Sequence, residues 1–273
     1  MSTLKVDAIR HNSATSDAIT TAADGTCTAR ITGMTGGGGL SHRNLIINGA
    51  MQVAQRGVSS TTNGYGSVDR FRVYYTGNDE APEQEQGAVA SGTTPYTLGF
   101  RKSFKITNGN QTSGAGAADA SNILTTIEAQ DVANSGWNYT SASSFITLSF
   151  WVKSSVAQNF YGYVLSADGT ERRYAYETGS LSANTWTKIT KTIPGNSNIQ
   201  IDNNNGGGLE INISPFWGTN FTDSGVSLNA WATHSSSART PDSTSTWYTT
   251  NDATFEITGV QLEVGDTATS FEH

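Results

Sequence analysis

The chain has 273 residues, of which only 14% are charged, with 29 glycines and a formal net charge of −7. An acidic chain without a basic run lacks the electrostatic footprint of a nucleic-acid binder, and no apolar stretch approaches the roughly 18–20 residues that a membrane span needs. Cys27 is the single cysteine, which excludes an intrachain disulfide and a zinc knuckle. His11, His42, His234 and His273 show no ligand spacing, so no metal or other cofactor is expected. Residues 1–6 form no hydrophobic signal region, so secretion is not expected either. Abundant Ser, Thr and Asn compete for backbone hydrogen bonds and disfavour long helices. A 10% aromatic content still provides for a buried core, and an all-β protein follows.

The first 35 residues read as a unit of their own. Residues 3–9 alternate, with Leu4, Val6 and Ala8 on one face and Ile9 closing the run. Residues 18–22 and 26–31 flank Asp24-Gly25, a hairpin signal that carries Ile19 and Ile31. Strands this short and this poor in large apolar groups cannot hold a fold alone. Leu4, Val6, Ile9, Ile19 and Ile31 are therefore expected to bury themselves against copies of the chain or another protein. A glycine-rich linker over 36–43 then separates residues 1–35 from a larger domain over 44–273.

That domain alternates strand and turn. Residues 44–49 form a short apolar run closed by Asn48-Gly49, and 68–75 place Phe71, Val73 and Tyr75 on one side. Residues 102–106 follow with Phe104 and Ile106. Over 121–132 both a short amphipathic helix and a strand over 124–129 fit. Residues 145–153 are the clearest strand, with Ile146, Leu148, Phe150 and Val152 on one face and Trp151 on the other, facing a second layer, solvent or a partner. Further strands are expected over 160–165, 172–176, 186–193 and 209–213. In the last one, 255–264, Phe255 and Ile257 set one parity and Val260, Leu262 and Val264 the other. A β-bulge at Gly259 would return both halves to the core. So many strands without a βαβ rhythm indicate an antiparallel β-sandwich of jelly-roll type.

Residues 44–57 (NLIINGAMQVAQRG), followed by Val68-Asp69-Arg70-Phe71, resemble the opening of a β-sandwich domain common in tailed-phage tail-fibre and related virion proteins. Residues 255–273 resemble its end, and 147–153 its central strand. Residues 2–9 are similar to the start of many phage fibre proteins. The resemblance implies a virion appendage with attachment or trimerisation through residues 1–35, a homotrimer docked on other virion proteins. It also implies adhesion to a host-surface polysaccharide, because the domain is similar to carbohydrate-binding jelly rolls. A purely structural head-fibre, collar or decoration protein is the alternative, and a polysaccharide depolymerase the third.

Sugar binding needs an aromatic face with amide, carboxylate or hydroxyl groups beside it. Three clusters offer this: Trp217, Asn220 and Asp223; Trp231, Trp247 and Tyr248; and Trp137 with Tyr139. The competing reading packs the same rings under loops or at an interface. Asp202-Asn203-Asn204-Asn205 is rich in oxygen ligands but lacks a second carboxylate at coordinating spacing, so it reads as a turn. Glu128 with Asp131, and Glu83 with Glu85, are nearby carboxylates, yet no nucleophile elbow, zinc helix or triad accompanies them. Catalysis is not expected.

Overall fold

The computed structural model describes residues 6–10, 12, 13, 15, 18–21, 23, 27–29 and 43–273, the backbone alone for 27–29. The chain divides into two compact units, Met1–Ser41 and His42–His273. In the first, β1 (Ala8–Ile9), β2 (Ile19–Thr21) and β3 (Cys27–Ala29) form an antiparallel sheet in that order. Thr21 pairs with Cys27, so a hairpin brackets Asp24-Gly25 as expected. Val6 and Ile9 are exposed and Ile19 is half-buried within this unit. Leu4, Ile31 and residues 36–42 of the glycine-rich linker lie outside the described residues.

The second unit is a jelly-roll β-sandwich. Its elements are β4 (Ser59–Ser60), β5 (Phe71–Thr76), β6 (Glu83–Ala88), α1 (Thr94–Thr97), β7 (Lys102–Thr107), β8 (Ala120–Glu128) and α2 (Ala129–Ala133). These are followed by β9 (Phe145–Ser154), β10 (Asn159–Ser166), β11 (Arg172–Ser180), β12 (Thr187–Pro194), β13 (Gly207–Trp217), β14 (Trp231–Thr233), α3 (Thr246–Thr249) and β15 (Thr254–Val264). One sheet runs β14-β11-β10-β13-β8-β5 and the other β12-β9-β15-β7-β6-β4, with antiparallel pairing throughout.

Strand parity places the core between the sheets. Ile146, Leu148, Phe150 and Val152 of β9 join Phe255, Ile257, Val260 and Leu262 of β15 on one side. Ile123 and Ile127 of β8 and Leu209, Ile211 and Ile213 of β13 meet them from the other. Ring contacts tie the layers, with Phe160 edge-on to Phe255 at 4.9 Å and Phe71 6.2 Å from Phe104. The phase change in β15 is a bulge: Thr258 pairs with Trp151 but Gln261 with Ser149, one residue gained, with Gly259 at φ +61°. The 121–132 segment resolves as strand β8 followed by the single turn α2, so each alternative holds over part of it.

Residues 44–49 differ from the expected strand-like run. They form turns pinned to β15 at its bulge: the Asn44 Oδ1 accepts the amides of Ile46 and Leu262, and its Nδ2 donates to the Val260 carbonyl. The Val260 amide in turn donates to the Gly49 carbonyl. Trp151, facing outward as its parity required, packs with Trp186, Tyr96 and Phe271 against Ala50, Val89 and Phe100 of the same chain.

Candidate functional site

Four of the candidate rings are core side chains, which corrects their reading as sugar platforms, since a stacking ring must offer a face to solvent. Trp247 and Tyr248 are fully buried: the Trp247 Nε1 donates to the Thr254 carbonyl, and Tyr248 stacks on Phe216 at 4.4 Å. Burial pushes the Tyr248 phenol above its ordinary range. Trp217 donates from Nε1 to the Ser214 Oγ and packs on Phe221, with the Arg239 guanidinium over both rings. Trp137 donates to the Ser144 carbonyl, with half-buried Tyr139 edge-on to it. Trp231 is half-buried against Tyr174 and donates to the Pro194 carbonyl. Asn220 and Asp223 are exposed, and the Asp223 carboxylate accepts the Gly225 amide within its own turn. A cleft of about 230 Å³ beside Trp217 has hydroxyls on its rim, but its two rings, Phe216 and Trp217, are 3% and 1% exposed.

The exposed ring is elsewhere. Tyr65 is 46% exposed and borders a cleft of about 270 Å³ lined by Gln55, Arg56, Asp69 and Arg70. A larger crevice of about 430 Å³, bounded by Arg43, Asn44, Asp131 and Asn134, contains no aromatic side chain.

Two loops build the Tyr65 cleft, and the sequence fixes both. Asn48 holds the first, accepting the Val53 amide on Oδ1 and donating from Nδ2 to the carbonyls of Val53 and Asp69. The Asp69 carboxylate accepts the Gln55 amide at 3.2 Å and pairs with Arg56 at 3.5 Å. The second loop carries Tyr65. Gly64 bridges Val73 of β5, and the Gln84 side chain binds the carbonyls of Thr62 and Gly64 and the amide of Gly66. Gln86 donates from its side chain to the Met51 carbonyl and from its backbone to that of Val58. Strand β6 therefore clamps both loops through alternate glutamines. Such clamping fixes the loop backbone, so less ordering entropy remains to be lost when a ligand binds.

The backbone here is strained. Asn48, Met51 and Arg70 have φ of 61°, 60° and 70°. For an L-residue the left-handed region costs roughly 1–2 kcal/mol, and such residues concentrate where function requires a side chain aimed in one direction. The Thr125 Oγ1 holds the Arg70 carbonyl in place. Among the described residues the Arg70 side chain, exposed on the cleft, has no hydrogen-bond or ion-pair partner, whereas Arg56 lies 5.6 Å over the Tyr65 ring and beside Asp69. An exposed ring, an amide, a carboxylate and two guanidiniums thus converge on one cleft. Among the described residues no group of three or more His, Cys, Asp or Glu side chains is placed to hold a metal ion.

The sequence reading did not single out these residues. Gln55, Arg56, Asp69 and Arg70 sit in the segments that carried the resemblance, and Tyr65 is the one ring in the polar run 59–67. An aromatic side chain amid Thr, Asn, Gly and Ser was the available signal.

No family model and no curated protein sequence matches the chain. Among solved structures it is similar to the enzymatically active domain of bacteriophage CBA120 tailspike protein 4, at 12% identity and TM-score 0.42, covering 81% of this chain and 21% of that one. It is also similar to a CBM4 structure (12%, TM-score 0.40, covering 81% and 99%) and to the xylan-binding domain of CBM 22 (8%, 0.37, 80% and 99%). The chain spans about a fifth of the length of the tailspike chain.

Proposed function

We propose that this chain is a non-enzymatic appendage protein of a tailed-phage virion, a tail fibre whose sandwich adheres to a host-surface glycan. The observation that carries the adhesion is the Tyr65 cleft: an exposed ring with Gln55, Arg56, Asp69 and Arg70 around it, on clamped loops. The phage assignment rests on the residues 44–57 and 68–71 quoted above, part of which forms this cleft. The N-terminal unit docks on other virion proteins and trimerises, in keeping with the exposure of Val6 and Ile9 within it. Weak single-site affinity is then multiplied by copy number.

Fluorescently labelled protein should adsorb to host envelope fractions, and Tyr65→Ala should weaken adsorption several-fold. No adsorption to any fraction would sink the reading. A monomer in native mass spectrometry would remove the trimer. A purely structural head-fibre, collar or decoration role is favoured by the exposed apolar side chains Ile47, Val58 and Leu98, and antibody labelling of whole particles separates head from tail. For the depolymerase reading, Glu85 is engaged by Lys105 at 2.6 Å and Glu128 by Gln130 at 2.8 Å. Release of reducing ends from purified polysaccharide would support it.

A further inference from the structure

We infer that the Tyr65 cleft selects an acidic saccharide, one whose sugar carries a carboxylate. This rests on the glycan reading above and adds the class of ligand. Three observations carry it. The lining of the cleft itself holds two guanidiniums against one carboxylate, on a chain whose net charge is −7. The two cations are not equivalent: Arg56 is committed to Asp69 and lies over the Tyr65 ring, while the Arg70 side chain has no partner among the described residues. On its other side Arg70 borders a narrow crevice lined also by Glu128 and Asp131, and among the described residues neither carboxylate forms an ion pair with it. Lastly, the left-handed backbone at Arg70, φ +70°, aims a charged side chain where glycine would be the easy residue.

A guanidinium presents a planar fork that matches a carboxylate in two parallel hydrogen bonds. With Arg70 on the carboxylate, the sugar ring lies toward Tyr65, and the Gln55 amide and Asp69 carboxylate remain for ring hydroxyls. A neutral sugar would leave the Arg70 fork without a counter-charge. The negative field of the rest of the protein repels polyanions in general, so binding requires the fork geometry and not charge alone.

The test is a glycan array probed with the full-length protein, in which each uronic-acid oligosaccharide is paired with its carboxyl-reduced, neutral counterpart. Binding to acidic members that falls about tenfold or more on reduction, and equally in Arg70→Gln, supports the inference. Arg70→Gly removes the charge at a backbone conformation that glycine favours, so it separates loss of the fork from loss of the fold; it should behave as Arg70→Gln does. Equal binding to both members of each pair overturns the acidic class and leaves the glycan reading standing. Binding to acidic members that Arg70→Gly leaves unchanged also overturns it. No binding to any member overturns both.

Discussion

Gly259 and Phe100 occupy one another's space: a Cβ on the glycine would stand 2.6 Å from the phenylalanine Cζ. The contact joins the β15 bulge to the segment that covers the outer face of that sheet. Gly259→Ala would add two costs, a left-handed backbone at φ +61° and the displacement of a buried ring. We expect a loss of about 2–4 kcal/mol in urea unfolding. Gly136, at φ +85° with open space where its Cβ would lie, provides the comparison. Gly136→Ala should cost only the backbone part, about 1–2 kcal/mol. Equal losses would mean that the ring contact contributes nothing.

Trp247 and Tyr65 should separate stability from binding. Trp247 is fully buried, edge-on to Phe255 and hydrogen-bonded to Thr254. Trp247→Ala should cost about 3–5 kcal/mol of stability. Tyr65→Ala removes an exposed ring and should shift stability by only about 0.5 kcal/mol, while weakening glycan adsorption. A Trp247→Ala protein that keeps its melting temperature but loses adsorption would restore Trp247 as a binding residue.

This contrast also marks what the sequence could and could not convey. Period-two alternation in 145–153 and the parity change around Gly259 are consequences of one buried face, so β9 and the bulge in β15 were legible, although Val264, grouped with Val260 and Leu262, ends the strand exposed. Strand β6 was not, because Glu83-Gln84-Glu85-Gln86-Gly87-Ala88 has no apolar face; its glutamines serve as clamps for the loops on either side. Nor could local sequence tell Trp217 or Trp247 from an exposed ring. Both sit in loop-like text, and partners distant in the chain hold them: Tyr74 for Trp217, and Gln158 for the Trp247 turn. Residues 44–49 looked strand-like for the opposite reason: their apolar run is real, but the hydrogen bonds of Asn44 to β15 hold it in turns.

Glu263 should hold down the last stretch of the sandwich. Buried at 2% exposure, its carboxylate accepts the Gln261 side-chain amide, the Thr269 amide and the Thr269 hydroxyl. From that anchor the chain continues to Glu272, which accepts the amides of Arg43 and Asn44. Glu263→Ala should cost about 2–3 kcal/mol and raise amide exchange over 266–273 first. Glu263→Gln retains an acceptor and should lose less. Uniform exchange across the whole sandwich would mean that the stretch is not held by this side chain.

His234 gives the sandwich a pH dependence of defined sign. Its ring stacks on Tyr163 at 6.0 Å with Nδ1 buried and unpartnered, beside the Arg173 and Arg239 cations. Burial depresses its pKa below the ordinary 6.5, with the two arginines adding to that effect and Glu171, 3.9 Å away, opposing it. The same burial pushes the Tyr163 phenol up to about 12, so Tyr163 stays neutral while His234 titrates. The unfolded chain takes up the proton near 6.5, and the folded chain only at lower pH. The stability due to this group is therefore complete above 6.5 and is lost as pH falls through the folded-state value. His234→Phe keeps the stacking and cannot titrate. The difference in unfolding free energy between the parent and His234→Phe should be flat above pH 6.5 and turn against the parent below it. A difference that is flat on both sides would show that the folded pKa is not depressed.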